Sequence, residues 1–224
     1  MEFLYETHMH TSEICACGVS TAVEQVQAYK KRGYTGIIIT DHFINGNSHR
    51  TYAHTWKEKM EWFITGYLKA KEEGDKCGID VFFGWEYSIR GSDFLTYGLG
   101  FDFLFNHPNI DQLEINEYSS LIRSCRGFLA QAHPFRNEPY IHYKFPVEPH
   151  LIDAIEVYNA ARPQIDNEKA FAFAKEHDLP MMSGSDSHNV NLPHIGGIIL
   201  EKKAETIFDI IDAIKSKKVG LISK

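Results

Sequence analysis

The stretch Gly36-Ile37-Ile38-Ile39-Thr40-Asp41-His42 decides the fold. A continuous β-branched run of this kind is the pattern of a strand buried on both faces of a parallel sheet. It ends in a carboxylate and an imidazole. Upstream, Phe3-Leu4-Tyr5 is short, aromatic and β-prone, so residues 3–8 form a strand that runs into His8-Met9-His10. Between the two strands, Val19 to Arg32 reads as a helix. Thr21 and Glu24 have the spacing of a capping box, Val19, Val23 and Val26 recur at helical spacing, and Gly33 stops the run. Strand, helix and strand joined by short links make a βαβ unit.

Downstream the alternation continues. Residues 43–55 are a polar loop. Trp56 to Glu73 is an amphipathic helix with Met60, Phe63, Ile64, Tyr67, Leu68 and Lys71 as its inner stripe and edge. Ile79 to Gly84 is a third strand, ending in Trp85-Glu86. Phe94 to Leu99 is a fourth, and Ile110 to Arg126 a helix. Residues 128–132 form a strand that ends in His133-Pro134, followed by a Pro- and aromatic-rich loop over 134–150. Residues 154–158 form another strand. The helix Asn167 to His177 points Ala170, Phe171 and Ala174 inward. The strand 180–184 ends in Asp186-Ser187-His188. After a short strand at 198–200, the last helix has Thr206 as its cap and Ile207, Ile210, Ile211 and Ile214 on one face.

Strands alternate with helices from end to end, with no repeat or linker. The expectation is one domain over residues 1–224, a distorted (β/α)7 barrel, with a doubly wound sheet second. The barrel is preferred because residues of metal-ligand type follow at least five strands, and a barrel gathers its strand ends round one mouth. The net charge of −7 argues against a general nucleic-acid surface. No apolar run approaches the ~20 residues of a membrane span. The first residues lack the pattern of a signal peptide, so a cytoplasmic protein is expected. The four cysteines, Cys15, Cys17, Cys77 and Cys125, read as free thiols, and either Cys15 or Cys17 could approach a metal from the loop after His10.

The candidate metal ligands are His8, His10, His42, Glu86, His133, Asp186 and His188, each at the end of an expected strand. Accidental polar caps would be shared among Ser, Thr, Asn and Gly; here they are imidazoles and carboxylates. Asp41 reads as a group that orients an imidazole. A carboxylate has two oxygens and can bridge two cations, which suits Glu86. Arg136 is the first candidate for a phosphate donor, because a guanidinium fork fits phosphate; Arg162 and His194 are further candidates for the mouth. His49, His54, His107, His142, His150 and His177 read as solvated.

His8-x-His10, Thr40-Asp41-His42, Gly84-x-Glu86, Ala132-His133-Pro134 and Gly184-Ser185-Asp186-Ser187-His188 together resemble the ordered motifs of the polymerase-and-histidinol-phosphatase (PHP) superfamily. The resemblance implies a distorted seven-stranded barrel with two or three divalent ions, Mn, Zn or Fe, and phosphoester hydrolysis. It implies that His8, His10, Glu86 and Asp186 hold one ion and that Glu86 bridges to a second with His133. His42 and His188 would hold a third with a ligand from the loop after His10, either Glu13 or a cysteine. Glu86, Asp186 and Arg136 are the residues expected to carry the chemistry. Two positions depart from the family pattern. The family's loop acid or imidazole is replaced around Cys17-Gly18, and Tyr97 stands where many members have a histidine after the bridging Glu.

The leading expectation is hydrolysis of a small phosphomonoester, histidinol-phosphatase-like. A phosphodiesterase or exonuclease is the second enzymatic reading. A metal-dependent amidohydrolase is the third, weakened because no strand end carries the bridging Lys. A metal-binding regulatory module is the non-enzymatic alternative. The oligomeric state is open.

Overall fold

The computed structural model describes residues 2–49, 55–139, 141–142 and 146–224. His54 and parts of the two expected loops over 43–55 and 134–150 lie outside the described residues.

The chain opens with β1 (Phe3–Glu6), α1 (Ala22–Lys31) and β2 (Gly36–Ile39). The capping box is present at α1: the Thr21 side chain accepts from Glu24 N, and the Glu24 carboxylate accepts from Thr21 N. Val19 lies outside the helix and is 66% exposed, so it does not belong to the inner stripe. Next come α2 (Trp56–Phe63), α3 (Thr65–Cys77), β3 (Asp80–Ile89) and β4 (Ser92–Tyr97). The single helix expected over 56–73 is therefore two, changing at Ile64. The buried face of α3 is Gly66, Ala70 and Gly74, not the large residues, and Leu68 is 46% exposed. Small residues spaced four apart let the helix backbone approach closely. A Cβ on Gly66 would lie 2.5 Å from Thr11 Oγ1 and 2.6 Å from Asp41 Oδ2.

The second half runs α4 (Phe101–Asn106), α5 (Ile115–Ser124), β5 (Phe128–Gln131), β6 (Ala154–Asn159), α6 (Gln164–Glu176), β7 (Met181–Gly184), β8 (Gly196–Leu200), α7 (Ile207–Lys215) and β9 (Gly220–Ser223). The inward face of α6 is again small, with Asn167, Ala170 and Ala174 buried, and Phe171 points outward. The apolar stripe of α7 buries Ile210, Ile211 and Ile214 as its spacing requires. His107 is half-buried, its Nδ1 against Phe103 O at 2.7 Å, and so is not simply solvated. No helix among the described residues is long and apolar enough to cross a membrane.

The strands form one sheet in the order β7-β6-β5-β4-β3-β2-β1-β8-β9. It curls into a nearly closed barrel. Beyond β1 and β7 the chain pairs at Met9 and Ser187, with His10 N donating to Ser187 O at 3.0 Å. The Glu6 carboxylate fastens the same seam, accepting from Thr7 N, His8 N, Ser185 N and the Ser185 hydroxyl. Burial, only partly offset by these donors, raises its pKa to about 7.

Six of the seven strands β1 to β7 have a parallel partner, but β4 is antiparallel to both β3 and β5. The hairpin sets which end of β4 meets the mouth. Tyr97 pairs with Phe128, the first residue of β5, at the far end of the barrel. Asp93 sits at the mouth, where its carbonyl accepts from Ala132 N. The far end is filled by Tyr5, Tyr97, Phe128, Ile198, Ile210 and Ile214.

Candidate metal centre

The barrel mouth collects the ligand-type side chains by strand continuation. Past Glu6 the chain stays extended, and alternation turns His8 and His10 to one side, both fully buried, with ring centroids 5.1 Å apart. Past Ile39 the chain continues beside β3: Glu86 N donates to Asp41 O, and Phe43 N to Glu86 O. This places His42 against Glu86. Glu86 lies within β3, which runs to Ile89, and not at a strand end as expected. His133 and Asp186 leave β5 and β7 with φ of 28° and 52°. Such backbone costs roughly 1–3 kcal/mol in a residue with a Cβ, and here it aims both side chains into the mouth. Gly184 allows the approach of β1, since a Cβ there would lie 2.5 Å from His8 Cβ and 2.6 Å from Glu156 Oε1.

Glu86 is central. Its Oε1 lies 3.2 Å from both His8 Nε2 and His133 Nε2. Its Oε2 lies 2.6 Å from His42 Nδ1 and 3.6 Å from His10 Nε2. Asp186 Oδ1 lies 3.2 Å from His10 Nε2 and 3.5 Å from His8 Nε2. Among the described residues, five groups of donor atoms are each close enough to surround one ion: His8, His10 and Glu86; His8, His133 and Asp186; Glu86, Asp93 and His133; His10, His42 and His188; and His10, Cys15 and Asp41.

The residues fit divalent cations. His8 Nε2, His10 Nε2, His42 Nδ1 and Glu86 Oε2 are buried, face this cluster and make no hydrogen bond; Asp93 Oδ2, beside them, lies 2.8 Å from Arg136 Nη2. Leaving such atoms without a partner costs about 1–3 kcal/mol each, so the arrangement calls for something that satisfies all of them. Imidazole and carboxylate together suit Mn, Fe or Zn.

The charges agree. Burial disfavours protonation of His8, but Asp186, Glu156 and Glu86 outweigh it and raise its pKa well above the usual range. His42 is raised in the same way, burial being outweighed chiefly by Glu86. His10 goes the other way, to about 3, through burial and the neighbouring His188 and His42. Burial alone would raise the pKa values of Glu86 and Asp186; the imidazoles, His42 and His8 foremost, hold both well below it.

A further layer holds these donors from behind. Glu156 Oε1 lies 3.0 Å from His8 Nδ1, while its Oε2 accepts from His133 N and Asn159 Nδ2. Asn159 Nδ2 also donates to Asp186 Oδ2 at 3.2 Å. Asp41 accepts from Thr11 N and from the Cys15 thiol, and Cys15 Sγ lies 3.3 Å from His10 Nδ1. Asp41 thus orients His10 through Cys15. Glu156 and Asp93 were missed by sequence reasoning. The signal for Glu156 was a lone carboxylate inside the apolar run Ala154 to Tyr158; Asp93 needed the hairpin direction.

Some expected residues are placed elsewhere. Glu13 faces α1: its carboxylate accepts from Ala22 N at 2.9 Å and lies 3.5 Å from Lys69 Nζ, so it does not reach the cluster. Cys17 lines the mouth instead, on the same cavity wall as His188 and His42. Tyr97 is buried at the far end, its hydroxyl donating to Thr7 O at 2.6 Å. His194 is exposed and does not line the mouth. Arg136 and Arg162 do line it. Arg136 lies 2.8 Å from Asp93 Oδ2 and donates to Gly91 O; Arg162 lies 3.8 Å from Glu138. The cavity between them and the cluster is about 590 Å³.

Known structures share this architecture. A two-domain protein from Bacteroides vulgatus, described as containing a predicted PHP-like metal-dependent phosphoesterase, superposes with TM-score 0.73 at 16% identity, covering 99% of this chain and 64% of that one. The chain has the PHP fold. This chain spans under two thirds of that protein's length. A family model described as PHP-associated matches residues 164–219, from α6 to just beyond α7. PsfC from Pseudomonas syringae aligns with TM-score 0.62 at 14% identity over 99% of this chain and 89% of its own. An amidohydrolase from Chromobacterium violaceum, with bound sulfate and no metal, aligns with TM-score 0.56 at 14% identity over 94% and 96%. No curated protein matches the sequence. The fold expected from the motifs is therefore the fold found.

Proposed function

We propose that the protein is a metal-dependent phosphoesterase acting on a small phosphomonoester. The observation that carries this is the cluster of buried donor atoms without hydrogen bonds, centred on Glu86, at the floor of a cavity rimmed by two arginines. His8, His10, Glu86 and Asp186 would hold one divalent ion; Glu86, Asp93 and His133 a second; His42 and His188 would share a third. Bound there, such ions polarise a phosphoryl group, activate water and stabilise the leaving oxygen. The chain's own part is to hold the donors rigid through Glu156, Asn159 and Asp41, and to offer the Arg136 and Arg162 guanidiniums to the phosphate oxygens.

The small substrate is supported by cavity size and by the acidic net charge, which offers nothing to a nucleic-acid backbone. Among the described residues no lysine lines the cavity, which weighs against the amidohydrolase reading. The testing experiment is a phosphate-release screen over matched monoesters and diesters with metal added back. Turnover of monoesters over diesters is expected. Turnover of diesters or oligonucleotides alone would replace the substrate class, and release of none would count against the enzymatic reading.

A further inference from the structure

We infer that Cys17 is a thiolate ligand to the divalent ion held by His42 and His188, and that it biases this position toward thiophilic ions. The inference rests on the metal-centre reading above. His42 and His188 face each other here, their ring centroids 5.7 Å apart, with His10 beside both. The His10–His188 and His10–His42 ring centroids are 4.1 and 4.4 Å apart. No carboxylate from the loop after His10 reaches this position, because Glu13 is spent on α1. Cys17 supplies the missing anionic donor, from the cavity wall that it shares with His42 and His188.

The two loop thiols have separate tasks. Cys15 is fully buried behind the site, tied to His10 Nδ1, Asp41 and the amide of His42. Cys17 is half-buried on the open side, so its proton can leave to water as an ion enters. Two imidazoles and one thiolate, with a fourth position left open to the cavity, are donors that Zn takes in a four-coordinate site. Soft sulfur favours Zn, Fe or Co over Mn and Mg. The inference predicts that the three positions differ in metal preference, with the thiolate position the most thiophilic.

The test is the electronic spectrum of the full chain loaded with Co(II). A sulfur-to-cobalt charge-transfer band in the near ultraviolet is expected. It should be lost in Cys17→Ser and in Cys17→Asp, and kept in Cys77→Ser and Cys125→Ser. The Asp variant retains an anionic donor, so it controls for folding: cobalt should still bind without the band. Zn should also protect Cys17 from iodoacetamide in the native chain. Cobalt bound with no such band, or a band that survives Cys17→Ser, overturns this inference and leaves the metal centre intact. Failure to bind any cobalt overturns both.

Discussion

Asp93 Oδ2 lies 3.8 Å from His133 Nε2, while the Tyr97 hydroxyl is bound to the Thr7 carbonyl at the opposite end of the barrel. The side chain that completes the His133 position is thus four residues upstream of where the family pattern suggested. Asp93→Asn should lower metal occupancy at that position and loosen Arg136, which Asp93 anchors at 2.8 Å. Tyr97→His should not tighten it. Anomalous diffraction from metal-loaded crystals reads both; tighter binding in Tyr97→His would show that the β4 register is wrong.

This difference shows where the sequence was legible. His8, His10, His42, His133, Asp186 and His188 follow strands that the apolar runs mark, and spacing alone brings them together. Asp93 follows no strand end. It opens an antiparallel strand, and a hairpin's direction is not written in hydrophobic period. Glu156 and Glu6 sit inside buried strands, where a carboxylate survives only because partners on other strands receive it. The helix faces of α3 and α6 were misjudged for a related reason. Large residues predict burial only when a partner leaves room, and here the neighbours pack against Gly66, Ala70 and Ala174.

Glu156 touches no reacting atom but orients His8 and holds His133 and Asn159. Glu156→Gln should weaken metal affinity or turnover by about 10–100-fold, the usual effect of losing a supporting group behind a ligand. Competitive metal titration gives the affinity. An unchanged value would remove Glu156 from the support.

Arg136→Ala should act mainly on KM, because it removes a phosphate donor, whereas Glu86→Gln should lower kcat by about 100-fold or more, since an amide cannot bridge cations as a carboxylate does. Steady-state kinetics on an accepted ester decide. Near-normal turnover in Glu86→Gln would remove the bridging role.

The pH dependence of the metal-stripped protein follows from His8 and His42, both raised above the ordinary imidazole range. A group that binds its proton more tightly when folded contributes stability in full below its unfolded pKa, ~6.5, and loses that contribution as pH rises through the folded value. The chelated protein should therefore lose a contribution to its melting temperature as pH rises above neutral. Metal binding, which displaces those protons, should weaken as pH falls. Thermal melts with and without chelator test this; a stripped protein stabilised by rising pH through that window would contradict it.

The most direct test is phosphate release from a small phosphomonoester by stripped protein titrated with Mn, Zn or Fe. The account predicts no release without metal and activity that rises and saturates as the Glu86-centred cluster fills. Full activity in the stripped protein, or no release on any monoester once metal is shown to be bound, would contradict it.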